Sequence, residues 1–216
     1  MFQEKDHITL ELNSDSVMNR KNNKVWALTG SIATGKSTVS KYFSDNYSIK
    51  IINADDIGHF ILSQKETIEK IGLAFGAEVI EKGCVDRGKL GKIVFGDKNK
   101  LETLNSIIHP ELIKKALSEI EKASLLSPVI FEAAILIEAG WHKYFDKIIL
   151  TTCDKDIQLK RVMERNKLSL QEATNRIASQ MVFKEKKLCA DYIVDTTSGL
   201  VSCLKTLKEI GSEITS

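Results

Sequence analysis

The stretch at residues 28–40, LTGSIATGKSTVS, constrains this chain more than any other. An apolar run at residues 24–28 (KVWAL) stops at Thr29-Gly30. Two glycines then stand five apart, the second followed by Lys36-Ser37. Residues 30–37 fill every fixed position of G-x-x-x-x-G-K-[ST]. Gly30 and Gly35 let the backbone turn tightly and approach an anion with no Cβ in the way. The N–H groups along Ala33, Thr34 and Gly35 can then converge as an anion nest. A helix that opens near Gly35 turns its partial positive end to the same anion. This pattern points to a bound nucleotide: Lys36 reaches its β- and γ-phosphates, the Ser37 hydroxyl is an oxygen ligand for Mg²⁺, and Thr38 reaches toward the α-phosphate. The alternative is a plain glycine turn. A preceding apolar strand and a following helix are the context that favours the nucleotide.

The rest of the chain repeats that strand–helix alternation. Short apolar runs recur at residues 49–53 (IKIIN), 128–131 (PVIF), 147–152 (KIILTT) and 191–195 (DYIVD). Helical spacing fills residues 66–75, 101–123, 155–164 and 169–183. The expected fold is therefore α/β, a five-stranded parallel sheet covered on both faces in a three-layer arrangement. Residues 57–126 are too many for one crossover and are expected to form a helical insertion. Residues 154–190 are helical and charge-rich, as suits a mobile flap over a site. The core is thus expected at residues 24–56, 127–153 and 191–200, with a C-terminal helix at 201–216. Residues 1–23 are read as an extension in which HITLEL alternates like a short strand.

Bulk properties narrow the function. The 216 residues are 43% hydrophobic and carry a net charge of +2, so general attraction to nucleic acid or to an anionic membrane is not indicated. Cys84, Cys153, Cys189 and Cys203 form no C-x-x-C pair, and scattered free thiols suit a reducing cytoplasm. No run approaches the ~20 apolar residues of a membrane span. The expectation is a cytoplasmic monomer or weak homo-oligomer acting on a small molecule.

Three classes use such a phosphate loop: a switch, a motor and a small-molecule kinase. A guanine reader N-K-x-D is missing, since both candidates, NKLE at Asn99 and NKLS at Asn166, lack its aspartate. A motor is usually longer. A kinase needs a base beside the acceptor and cations around the transferred group. Asp55, in NADD after the second strand, lies at the carboxyl edge of the sheet with the glycine loop and can accept a hydroxyl proton. Asp56 is the second choice, and both also suit a helix cap. Arg161 and Arg165 share a helix face and can turn toward phosphates or toward solvent. Glu132 ends the third strand, where it can bind a Mg²⁺-held water.

Taken together, LTGSIATGKSTVS, NADDIGH, VDRGKLGKIVF, LNSIIHPEL, EAAILIEAGW, QLKRVMERN, RIASQM and ADYIVD resemble the dephospho-coenzyme A kinase family over residues 24–200. The resemblance implies a P-loop nucleoside-kinase-like fold with a substrate-binding insertion and a lid. It also implies transfer of phosphate from ATP, with Mg²⁺, to the ribose 3′-hydroxyl of dephospho-coenzyme A. Asp55 becomes the base, Lys36 and Ser37 keep their roles, Arg161 is favoured over Arg165 as the lid arginine on the phosphates, and Arg87 and His109 fall on the substrate side or are structural. His109 can also cap a helix that starts at Pro110. The chain departs from the family pattern at Asn53, where the family carries a first aspartate, at Ala134, where a proline is common, and at Thr196-Thr197, where an asparagine near the adenine is usual. The alternatives are another P-loop kinase of a nucleotide or a shikimate-like alcohol, and a non-catalytic nucleotide-binding regulator.

Overall fold

The computed structural model describes residues 23–94 and 96–216, so the HITLEL stretch lies outside the described residues. The chain begins with β1 (Val25–Thr29), α1 (Lys36–Tyr47) and β2 (Lys50–Asn53). The long interval carries α2 (Ala54–Leu62), α3 (Lys65–Phe75), β3 (Ile80–Glu81), β4 (Cys84–Val85), α4 (Arg87–Val94) and α5 (Lys98–Ser124). After β5 (Val129–Glu132) and β6 (Ile148–Thr152) come α6 (Lys155–Asn166), α7 (Leu170–Ala178) and α8 (Phe183–Lys187). β7 (Tyr192–Asp195) and α9 (Leu200–Thr215) follow.

The sheet is wholly parallel, in the order β2-β5-β1-β6-β7. All five residues of β1 are buried, which explains why its sequence is an unbroken apolar run. Alternate side chains still go to opposite faces. Val25, Ala27, Val129, Phe131 and Ile148 pack with Ile57 and Ile61 of α2 and with Leu112, Ala116 and Ile120 of α5. Trp26, Leu28, Ile130 and Ile149 pack with Val39 and Phe43 of α1 and with Leu207 and Ile210 of α9. A third apolar cluster, Ile71, Phe75, Val79, Leu90 and Val94, binds α3, the hairpin and α4 into one outlying body.

Three expectations change. The insertion is not all helical, because β3 and β4 form an antiparallel hairpin. Lys82 and Gly83, both at positive φ, make its two-residue turn, a geometry that matches the twist of paired strands. The alternative in which His109 caps a helix starting at Pro110 fails, because Pro110 lies inside α5, the helix read at residues 101–123, which is capped at its start by Asp97. His109 therefore caps nothing. The single helix expected at residues 169–183 is two, broken between Ala178 and Phe183.

Register places the site. Leu28 and Asn53 both lie beside Glu132, and Thr152 lies beside Asp195. The loops after β1, β2, β5, β6 and β7 thus open on one edge, the usual ligand edge of an open parallel sheet.

Candidate active site

A cleft of about 850 Å³ opens on that carboxyl edge. Its floor is the loop between β1 and α1. Gly30 has φ of +152°, and a Cβ there would meet Thr151 Oγ1 at 2.2 Å. Gly35 has φ of +89°, and its Cβ would meet Thr196 Cγ2 at 2.9 Å. Both positions demand glycine. Ala33 is also left-handed, at φ of 61°, although it has a side chain. Such strain is commonly found where a loop is shaped for a ligand. Asn53, Asp97, Asp154 and Ser169 cap α2, α5, α6 and α7 with side-chain hydrogen bonds. α1 has no side-chain cap and no acid in its own first turn, so its positive end is left open to the cleft.

Lys36 begins that helix and curls back over the loop. Its Nζ donates to the carbonyl oxygens of Gly30 at 2.9 Å and Ser31 at 3.2 Å. Burial lowers its pKa from 10.5 to about 8, although Glu132 and Asp55 act to raise it, while Lys186 and Arg165 add to the lowering. A phosphate beside this ammonium would relieve the penalty. Glu132 is itself buried and accepts hydrogen bonds from Ser37 Oγ at 3.3 Å and from Ser40 Oγ. Ser37 and Glu132 thus give a small set of oxygen donors at the cleft floor. The described residues include no group of three or more His, Cys, Asp or Glu arranged for a metal. That donor set fits Mg²⁺, which takes few protein oxygens and completes its shell with phosphate and water.

Asn53 resolves the role of the acidic pair after β2. Its Oδ1 accepts the Asp55 N–H at 2.8 Å and caps α2, so neither aspartate is the cap. Asp55 is exposed and lines the cleft, within electrostatic reach of Lys36, whereas Asp56 is not among the cleft-lining residues. A neutral asparagine at 53 keeps the cap while leaving a single carboxylate of this segment facing the cleft.

The opposite wall comes from α6, α7 and the segment after β7. Arg161 is held on the cleft wall. Its Nη2 donates to Thr196 O at 2.9 Å, and its Nη1 to Thr196 Oγ1 at 3.1 Å and Ala33 O at 3.5 Å. Arg165, one turn on, is the arginine that acts on Lys36. Both arginines line the cleft. Thr196 is fully engaged, since its Oγ1 also donates to Thr34 O at 3.0 Å, and Thr197 Oγ1 accepts the Asp154 N–H at 2.8 Å.

The cleft gathers Ala33, Gly35, Lys36, Ser37, Thr38 and Asp55, along with Glu132, Arg161 and Arg165. Gly30 lies beneath it and contributes its carbonyl to Lys36. The Thr34 side chain is buried beneath the loop and bonds to Ser31 O and Thr151 Oγ1, each at 2.8 Å. Arg87 and His109 do not line the cleft. Arg87 starts α4, and His109 packs edge-on against Trp141 at 5.1 Å, where burial lowers its pKa to about 4. Arg176, Gln180 and the buried Lys186 were not singled out from sequence. RIASQM marks the first two as a motif without a role, and nothing in FKEKK distinguishes the lysine that turns inward.

Comparison with known proteins gives one consistent family. The family model CoaE, dephospho-CoA kinase, matches residues 24–202. The dephospho-CoA kinase of Fusobacterium nucleatum is 38% identical over 182 residues, spanning 84% of this chain and 93% of that protein. That of Carboxydothermus hydrogenoformans is 39% identical over 179 residues, spanning 81% and 86%. Among solved structures, the dephospho-CoA kinase from Campylobacter jejuni matches with a TM-score of 0.66 at 31% identity, covering 88% of this chain and 96% of that one. TT1252 from Thermus thermophilus matches with a TM-score of 0.76 at 27% identity, covering 91% and 100%.

Proposed function

The chain belongs to the dephospho-CoA kinase family, and from that membership we propose how its cleft carries out the reaction. The enzyme transfers the γ-phosphoryl group of ATP to the ribose 3′-hydroxyl of dephospho-CoA, giving CoA and ADP. The observation that carries the assignment of roles is that Lys36 and Asp55, from the first turns of α1 and α2, sit in one cleft close enough for their charges to interact.

The loop amides and the N-terminus of α1 hold the β-phosphate. Lys36 bridges to the γ-phosphate, and Arg165 spreads the charge that builds on the transferring group. Asp55 orients the 3′-hydroxyl and takes its proton as that oxygen bonds to the γ-phosphorus. The bond from phosphorus to the β–γ bridging oxygen breaks, and ADP leaves with the electron pair. Ser37, with Glu132 behind it, would hold Mg²⁺, which would supply positive charge against the phosphates. Arg161 stays on Thr196 and Ala33 and fixes the wall beside the nucleoside.

Coupled detection of ADP with an acceptor panel tests this reading. Turnover is expected with dephospho-CoA and little with AMP or shikimate. Comparable rates with either of the latter would favour a different small-molecule kinase. ATP binding with no turnover on any acceptor would favour a nucleotide-binding regulator.

A further inference from the structure

The middle of the phosphate loop is gripped from outside it. Ile32 donates its N–H to Gln180 Oε1 at 2.7 Å, and its carbonyl accepts Gln158 Nε2 at 2.8 Å. Gln158 is buried in the first half of α6, and Gln180 stands two residues beyond the end of α7. The next residue, Met181, donates its N–H to Glu138 Oε1 at 3.3 Å. Lys186 of α8, wholly buried, pairs with the same oxygen at 2.8 Å and donates to Ala134 O at 2.8 Å. The break between α7 and α8 is thus fastened at adjacent residues, once to the phosphate loop and once to the segment after β5. Arg176 lies one helical turn before Gln180, and both line the cleft that holds Lys36.

We infer that Gln180, acting with Gln158, is a positioning residue for the transfer: it seats the end of α7 on Ile32 and thereby holds Arg176 over the phosphate cleft. This rests on reading the cleft as the ATP site. Two uncharged amides suit the task. They add no charge beside the phosphates, and each net bond is weak enough to be released when product leaves. Gln180 is partly exposed, so water can satisfy Ile32 N–H when the glutamine is lost. The cost of losing it therefore falls on geometry more than on stability.

Gln180→Leu removes the acceptor at similar size. It is expected to lower kcat with dephospho-CoA about tenfold with little change in Tm, the loss of one oriented hydrogen bond. It should also raise the ratio of phosphate released to CoA formed, because a poorly seated lid admits water to the γ-phosphorus. Gln158→Leu should lower kcat too, and the double variant should lose less than the product of the two single losses, since both grip one residue. A wild-type kcat with an unchanged phosphate-to-CoA ratio in Gln180→Leu overturns the inference, as do strictly multiplicative losses. Lys36→Ala, run alongside, separates the two levels. Normal turnover in it would sink the reading of the cleft itself, whereas low turnover in it with wild-type kinetics in Gln180→Leu would sink only the lid contact.

Discussion

The two edges of one parallel sheet are built on opposite terms. At the carboxyl edge the backbone is strained at Ala33, α1 is uncapped, and Lys36 is half-buried where its charge is disfavoured. At the amino edge polar and charged groups meet answering partners. Asp146 accepts the Val25 N–H at 2.7 Å, and Asp191 accepts the Ile148 N–H at 2.8 Å. Glu213 takes hydrogen bonds from Lys147 and Tyr192, while Lys147 lies over the Trp26 ring at 5.4 Å and the Tyr192 ring at 5.3 Å. Trp26 and Tyr192 stack at 5.7 Å. The contrast teaches that the fold is secured on one side of the sheet and left electrostatically unbalanced on the other, where a polyanion restores the balance. Substitutions at the two edges should then have opposite signatures.

The sharpest test is Lys36→Met. Turnover should fall about 10²–10³-fold, the usual cost of losing a cation that stabilises transition-state charge. Without nucleotide the variant should be no less stable than wild type, because a disfavoured, half-buried charge is gone. A large drop in Tm would break the comparison, since Lys36 would then be part of what holds the fold.

Asp55→Asn comes next. The amide keeps the size and loses the proton acceptor, so kcat should fall about 10²-fold, within the range for a general base. The ATP KM should change little, because Asp55 serves the acceptor side of the cleft. A kcat near that of wild type would remove Asp55 from the chemistry and leave the carboxyl edge a binding site alone.

The pH dependence of stability gives a smaller, signed effect. Burial lowers Lys36 from 10.5 to about 8. Between those values the folded protein has released this proton while the unfolded chain keeps it. The unfolded state binds more protons there, so this group adds stability as pH rises from about 8 to 10.5. Below about 8 the full penalty stands, on the order of 3 kcal/mol. Denaturant titrations without nucleotide should therefore show Lys36→Met ahead of wild type near pH 7, with the gap closing near pH 10. A gap that is constant with pH would mean that Lys36 is not held in the disfavoured state described.

Much of the carboxyl edge was legible because its demands are local. Gly30, Gly35, Lys36 and Ser37 lie within eight consecutive positions, so their spacing is visible in the sequence alone. The parallel sheet was legible from five apolar runs separated by helices. The lid wall was not. Arg161 and Arg165 are equivalent in sequence, and only packing against Thr196 sends one to the loop carbonyl and leaves the other facing Lys36. Gln158 and Gln180 meet at Ile32 across more than a hundred residues of chain, a relation no spacing encodes. The cap at Asn53 was hidden for another reason. Its neighbours Asp55 and Asp56 carry the same capping propensity, and only the helix start decides among them. The amino-edge cluster left no signal either, since Lys147, Tyr192 and Glu213 sit in three separate elements or their flanks.

That cluster supplies the mildest prediction and the complement of the first. Glu213 is held below the usual carboxylate range, chiefly by the Lys147 hydrogen bond, and it raises Lys147 and Tyr192 in turn. The pair is partly open to solvent, with side chains 35% and 37% exposed, so water and salt screen it. Glu213→Gln should lower Tm by a few degrees at low salt and by less in high salt, with kcat and both KM values unchanged. The substitution keeps a hydrogen-bond acceptor for Tyr192 and removes only the charge opposite Lys147, so the salt dependence reports the ion pair itself. A change in kcat without a change in Tm would mean that the amino edge communicates with the cleft through α9, whose first residue, Leu200, lines it. The division of labour between the edges would then fail at the one helix that touches both.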